Sequence, residues 1–157
     1  MLIKFKRIAD IRIDHDISQK QMAKILDISP DNYYDYEHGR SNFPLDKLNI
    51  FVNYFKVSFD YITSLSDVKV NYNNNIDFYI LKKRLKEIRK DNKLSQDMIA
   101  KTLGDKQSTY WNYENGNSTI PLSKLYLLGK FYNVSIDYFL GKTNNKIIIS
   151  KEIVLSK

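Results

Sequence analysis

The sequence has no cysteine, only five glycines and three prolines, and no long run of apolar residues. Without cysteine there is neither a disulfide framework nor a thiolate metal site, as is usual in a reducing compartment. A membrane span needs about 18 consecutive apolar residues, and a signal peptide needs an apolar stretch near its start. The N-terminal segment MLIKFKRIADIRID offers neither. We therefore expect a cytoplasmic protein with no membrane partner.

The charge of the chain is unevenly distributed. The 157 residues carry a net charge of +7, and 43% of them are hydrophobic, which predicts a folded chain of one mid-sized or two small domains. Residues 1–66 hold 9 Lys and Arg against 9 Asp and Glu, whereas residues 67–157 hold 16 against 9. A basic surface favours a polyanionic partner, and the distribution assigns that surface to the second half.

The sequence repeats itself at a spacing of 77 residues. Residues 6–64 align without a gap on residues 83–141, and 23 of the 59 pairs are identical. This spacing exceeds the usual period of solenoid repeats, so we interpret the repeat as two complete modules.

Each module is predicted to form five short helices. The first of them shows apolar residues at helical spacing. The other boundaries are marked by capping residues, turn glycines and helix-opening prolines. These markers are Ser18 and Ser95 (second helix), Ser29-Pro30-Asp31 (third), Gly39 and Gly116 (its end), Pro44 and Pro121 (fourth), and Ser58 and Ser135 (fifth).

The predicted boundaries place the first module at residues 1–66 and the second at residues 80–143. The linker, residues 67–79, contains an asparagine cluster typical of a loop, with an extended piece expected at residues 68–70. The tail, residues 144–157, lies outside both repeats, and its isoleucine and valine content favours a strand. We expect it to cover an apolar patch of its own module or to act as a self-association element.

The segments SQKQMAKILDIS…YYDYEHG and SQDMIAKTLGDK…YWNYENG resemble the lambda-repressor/Cro-like helix-turn-helix family, also called the XRE family. The resemblance covers both repeats and so most of the chain. It implies an all-α fold of two five-helix lambda-repressor-like modules that bind double-stranded DNA. Such modules need a small residue where two helices cross, which Ala23 and Ala100 supply, and an exposed third helix that enters the major groove.

The resemblance also implies roles for individual residues. The glutamine that opens the second helix, Gln19 or Gln96, grips a phosphate. The base-reading positions correspond to Pro30, Asp31 and Asp35 in the first module. In the second they correspond to Gln107, Ser108 and Asn112. The remaining DNA-binding candidates are Arg40, Asn42, Lys106 and Asn117. The implied ion pairs, which we interpret as structural locks, are Arg12–Glu37 and Arg89–Glu114.

Two carboxylates set the first module apart. Amides such as those of Gln107 and Asn112 both donate and accept at base edges, whereas a carboxylate only accepts and is repelled by phosphates. Asp31 is explained as an anion at a helix start, but a mid-helix Asp35 is not. We therefore expect the second module to read DNA more strongly. The first module either binds DNA weakly or has another use, in which Asp31 and Asp35 belong to a face that pairs two chains or holds a protein partner.

The second module has departures of its own from the family pattern. Asp105 occupies a turn position that is usually apolar, which predicts a looser turn. Lys106 replaces the usual capping serine or threonine. Trp111, exposed on a surface helix, contacts a thymine methyl or sugar, or packs on a neighbouring helix.

The function expected from the sequence is a sequence-specific DNA-binding transcriptional regulator that acts as a repressor. The alternative is a protein-interaction module, such as an antitoxin or inhibitor, that uses the acidic face of the first module. A homodimer is compatible with both. We expect no enzyme, no metal and no cofactor, because His15 and His38 lack metal-ligand spacing and no phosphate-cradling glycine loop is present.

Overall fold

A computed structural model describes residues 2–155, except for the side chain of residue 153. It contains eleven helices and no strand within that range. The chain divides into two compact units. The first comprises residues 2–74 together with the tail from residue 148, and the second comprises residues 75–147. The all-α fold predicted from the sequence is confirmed.

The first unit contains the five helices of the first repeat. They are α1 (Lys6–Asp14), α2 (Gln19–Ile25), α3 (Pro30–Glu37), α4 (Leu45–Phe55) and α5 (Phe59–Ile62). Ser18 forms a capping box, because its hydroxyl accepts from the Gln21 backbone while the Gln21 side chain accepts from the Ser18 backbone. Ser29 and Ser58 cap α3 and α5 through one hydroxyl bond each, without the second bond of a capping box.

The second unit repeats this order. Its helices are α6 (Phe78–Asp91), α7 (Gln96–Leu103), α8 (Gln107–Asn115), α9 (Leu122–Tyr132) and α10 (Ile136–Phe139). Asp77, Ser95 and Ser135 cap α6, α7 and α10 through their side chains. Lys106 precedes α8 and makes no side-chain capping bond. No helix within residues 2–155 is long and apolar enough to cross a membrane.

The cores of the two units use equivalent residues. Ala23 and Ala100 are fully buried, which allows the second helix of each module to pack closely on its neighbours. Tyr33 and Tyr110, on the third helices, are also fully buried. The third helices therefore turn these two tyrosines inward and leave the opposite face for solvent.

In each unit an arginine of the first helix bonds to residues near the end of the repeat. We call this arginine the clamp, and the sequence analysis did not predict it. Arg7 donates through Nη1 to the carbonyls of Tyr61 (2.9 Å) and Ser66 (2.7 Å). Arg84, at the equivalent position, donates through Nη1 to the carbonyl of Thr143 (2.8 Å) and through Nη2 to Asn144 Oδ1 (2.8 Å). The clamp ties the first helix of each unit to the segment after its fifth helix. The sequence did contain a signal for the clamp, because Arg7 and Arg84 are identical residues at equivalent positions of the repeat.

The tail does not form the predicted strand. Residues Lys151–Leu155 form a short helix, α11, and the hydroxyl of Ser66 donates to the carbonyl of Ile149 within the first unit. High β propensity is realised only when a neighbouring strand supplies backbone partners, and residues 2–155 contain none. The extended piece expected at residues 68–70 is likewise not a strand. Residues 156–157 of the tail lie outside the described residues.

Candidate nucleic-acid interface

A buried ion pair joins the first and third helices of each unit. Arg12 donates to Glu37 through Nε (2.7 Å, to Oε2) and Nη2 (3.0 Å, to Oε1). Arg89 donates to Glu114 through Nε (2.6 Å, to Oε1) and Nη2 (3.1 Å, to Oε2). The remaining nitrogen, Nη1, donates to the carbonyl of Ile17 or Leu94, just before the second helix. Each pair, which we call the lock, thus fixes three helices relative to one another.

The environment keeps both lock carboxylates ionised. Burial by itself raises the pKa of Glu37, but hydrogen bonds from Arg12, Tyr33 and Gln19 outweigh it, so the pKa lies below its ordinary value. The pKa of Glu114 is lowered in the same way, chiefly by Arg89 and Gln96 against the effect of burial. The locks are therefore charged on both sides throughout the neutral pH range.

The glutamine that opens each second helix is bonded to the lock. Nε2 of Gln19 donates to Glu37 Oε1 (2.9 Å), and Nε2 of Gln96 donates to Glu114 Oε2 (2.9 Å). Sequence reasoning gave these glutamines a phosphate contact and missed the bond to glutamate. The two roles are compatible, because a primary amide carries two hydrogens and only one is used here. The lock thereby holds the amide group of each half-buried glutamine, whose second hydrogen remains available to donate.

The predicted reading positions of the second module lie at its surface. Gln107 and Ser108 are exposed and Asn112 is half-buried. Nε2 of Gln107 approaches Gln96 Oε1 at 3.5 Å, and Nδ2 of Asn117 donates to Asn112 Oδ1 at 3.3 Å. Amide groups from α7, α8 and the following turn thus form two pairs.

Two further residues flank these amides. Lys106, exposed, directly precedes α8. Trp111 leaves 46% of its surface exposed, so packing on a neighbouring helix accounts for only part of its ring.

The equivalent surface of the first module carries charge. Asp31 is exposed and Asp35 is half-buried. Tyr34, at the position of Trp111, stacks on His38 with ring centroids 4.0 Å apart, and the Arg40 guanidinium lies 5.0 Å from its ring centroid. Arg40 and Asn42 are exposed, as a phosphate-contacting role requires. The structure therefore brings two carboxylates to the surface that, in the second module, presents neutral amides.

The turn before α8 contains a buried ion pair. Lys124 Nζ lies 3.2 Å from Asp105 Oδ1 and also donates to the carbonyl of Leu103, at the end of α7. The side chains of Lys124 and Asp105 are only 7% and 16% exposed. We expected Asp105 to loosen this turn, but the pair instead ties it to α9. The first module has Ile28 at the position of Asp105.

Comparison with known proteins identifies the class to which this geometry belongs. The family described as helix-turn-helix matches residues 8–62, and the family described as helix-turn-helix domain matches residues 83–145. The chain is therefore a helix-turn-helix protein. More particularly, it belongs to the tandem XRE-like type, with one domain in each repeat.

One curated relative is also named as a helix-turn-helix protein. The uncharacterized HTH-type transcriptional regulator YobD of Bacillus subtilis (strain 168) is 40% identical over 62 residues. The match covers 40% of this chain and 55% of YobD, so the chain spans about half the length of that relative. No solved structure matches the chain.

Proposed function

We propose that the chain is a cytoplasmic, sequence-specific DNA-binding transcriptional regulator that acts as a repressor, with the second module as the stronger DNA reader. The observation that carries the proposal is the difference between two equivalent surfaces. α8 presents Gln107 and Asn112, whereas α3 presents Asp31 and Asp35. The helix-turn-helix matches and the name of the relative agree with this function.

The distribution of charge supports the assignment of the stronger reader. DNA binding draws much of its free energy from neutralised phosphates, and all of the excess positive charge lies in residues 67–157. Lys106 stands beside the reading surface, where it can reach a phosphate. In the first module, carboxylates at the same surface repel phosphates and reduce what Gln19, Arg40 and Asn42 contribute.

Exchange of one residue between the modules tests the proposal. Asn112→Asp gives α8 the residue of α3, and Asp35→Asn makes the reverse change. Full-length protein is titrated with mixed-sequence and selected duplexes in an electrophoretic or anisotropy assay at several salt concentrations. We expect Asn112→Asp to weaken binding by about tenfold or more, because it removes an amide contact and adds repulsion. Asp35→Asn is expected to leave affinity unchanged or to raise it.

Two outcomes would contradict the proposal. Absence of DNA binding at low salt would overturn the DNA-binding function itself. Equal losses from both exchanges would overturn the assignment of the second module as the stronger reader.

The acidic surface of the first module supports a second candidate function. Asp31 and Asp35 flank the exposed ring of Tyr34, a combination of charge and aromatic surface that suits a basic protein partner. The partner of such an antitoxin or inhibitor would co-purify in stoichiometric amount, and Asp31→Asn with Asp35→Asn would release it. A homodimer through this surface would instead show as a doubled mass in sedimentation, lost in the same variant.

A further inference from the structure

The surface of α8 that faces solvent is rich in amides and carries no charge. The exposed or half-exposed side chains of this helix are neutral. They are Gln107, Ser108, Thr109, Trp111, Asn112 and Asn115. The one charged residue within the helix, Glu114, is 7% exposed and is held by Arg89 in the lock. Any preference among base pairs that this helix confers must therefore come from amides, hydroxyls and an indole ring.

Base edges differ in the side chains that match them. In the major groove guanine is best matched by arginine or lysine, and cytosine N4 by a carboxylate. Adenine is best matched by asparagine or glutamine, which bond N6 and N7 together, and the thymine methyl group by an apolar surface. The exposed surface of α8 has asparagine, glutamine and an apolar ring, which match adenine and thymine. It has no arginine, lysine or carboxylate to match guanine or cytosine.

The amides have bonding capacity left for a base. Gln107 Nε2 points one hydrogen toward Gln96, which leaves the second for adenine N7 while Oε1 accepts from N6. Asn112 Oδ1 accepts from Asn117, and a carbonyl oxygen has a second lone pair for N6. The internal contacts therefore leave donors and acceptors of both amides available.

Trp111 lies on the same helix, one turn after Gln107. Asn115 Nδ2 donates to the carbonyl of Trp111 (2.8 Å), one turn back, and 46% of the residue is exposed. In the first module the equivalent ring, Tyr34, stacks with the guanidinium of Arg40. Asn117 stands in the place of Arg40, so that cation is not available to cover the indole. The ring offers an apolar surface for a thymine methyl group.

We infer that α8 selects adenine–thymine base pairs, with Gln107 and Asn112 on adenine edges and Trp111 against a thymine methyl group. The inference rests on the proposed DNA-binding function and specifies its substrate. Lys106 directly precedes the helix, and we assign it a phosphate contact, which would strengthen binding without choosing a sequence.

Selection from a randomised duplex library with full-length protein tests the inference. The selected sites are then compared with those of Gln107→Ala and Asn112→Ala. We expect at least two adenine–thymine positions to be enriched, and each variant to lose the preference at one of them by about 5- to 150-fold. Lys106→Ala, the control, should weaken binding to all sequences alike and lower the salt dependence.

Modified bases test the individual contacts on the selected duplex. Replacing adenine by 7-deazaadenine removes N7, and replacing thymine by uracil removes the methyl group. Each replacement, made at a position that the protein reads, should weaken the binding of the wild-type protein to the duplex. The uracil duplex should have no such effect on Trp111→Ala, and the deaza duplex none on the corresponding amide variant.

The possible failures are distinguishable. Enrichment of guanine–cytosine pairs at the positions that Gln107→Ala and Asn112→Ala affect would overturn the inference and leave the regulator intact. Equal binding to all sequences would also overturn it, although DNA binding would remain. Absence of binding to any duplex would overturn the proposed function, and the inference with it.

Discussion

Lys142 shows how one residue can differ between two copies of the same fold. It is only 4% exposed, and the equivalent residue of the first module is Leu65. Burial lowers the pKa of its ammonium group to about 8, although the neighbouring carboxylate of Asp137 raises it. Asp137 and its counterpart Asp60 are both buried, so the buried aspartate itself is compatible with leucine at this position. The sequence gives no sign of this burial, because a lysine near a turn is usually exposed.

We predict that Lys142→Leu removes a pH dependence from the stability of the second module. The unfolded chain holds this proton up to a pKa near 10.5, whereas the folded chain releases it near 8. Unfolding therefore takes up a proton between these values, and the stability of the wild-type protein rises with pH across that window. Lys142→Leu removes the titrating group, so its free energy of unfolding relative to the wild type should be higher at pH 7 than at pH 9.5, by about 1–3 kcal/mol.

Urea unfolding at both pH values measures the effect of Lys142→Leu. Leu65→Met, a change of similar volume in the first module, is the control and should show no pH-dependent gain. An equal gain at both pH values would show that Lys142 does not release its proton in the folded state.

At the scale of the element, local chemistry made the helices predictable. Ser18, Ser29, Ser58, Ser95 and Ser135 all cap the helices that they were expected to begin. A cap depends on a hydroxyl and a backbone amide three residues later, so a short segment is sufficient to reveal it. The tail was not predictable in this way, because a strand depends on a partner that the tail's own sequence cannot supply.

The turn between α7 and α8 depends on contacts distant in sequence. Lys124, on α9, reaches the carbonyl of Leu103 and the carboxylate of Asp105. The identical lysine of the first module, Lys47, is half-buried and has Ile28 at the position of that carboxylate. The sequence showed the unusual Asp105 but not its partner, since 19 positions separate the pair.

We predict that Lys124→Met destabilises the second module by about 3–5 kcal/mol, because it leaves Asp105 buried without its counterion. Lys47→Met, the matched control, should cost less than about 1 kcal/mol. Chemical denaturation followed by far-ultraviolet circular dichroism reports on both modules, and the fluorescence of Trp111, the only tryptophan in the chain, reports on the second. Equal effects of the two substitutions would show that Asp105 does not depend on Lys124. The double change Lys124→Met with Asp105→Ile should recover part of the loss, since it removes both buried charges.

At the scale of the whole molecule, the two modules share a frame and differ in the surface built on it. The locks, the inward tyrosines and the arginine clamps recur at the same spacing. The repeat could be derived from the sequence, because identical residues in two copies indicate a shared structure. The ion pairs of the locks, which the family resemblance implied, are present in both units. The reading positions, also implied by the resemblance, stay a prediction. The bonds of Gln19 and Gln96 to the locks could not be derived, because their geometry depends on how three helices pack.

Because both modules contain the lock, the same substitution can be made in each. Comparing the two variants tests which module contributes more to DNA binding. Glu37→Gln and Glu114→Gln each leave a buried arginine without its counterion, and each should destabilise its own module by about 3–5 kcal/mol. A module of about 60 residues is only marginally stable, so this loss should unfold much of it on mild warming. If the second module is the stronger reader, Glu114→Gln should lower DNA affinity at least tenfold at such a temperature, whereas Glu37→Gln should lower it only slightly. Far-ultraviolet circular dichroism and Trp111 fluorescence confirm that both variants are comparably destabilised, and equal losses of DNA affinity would then show that both modules read DNA.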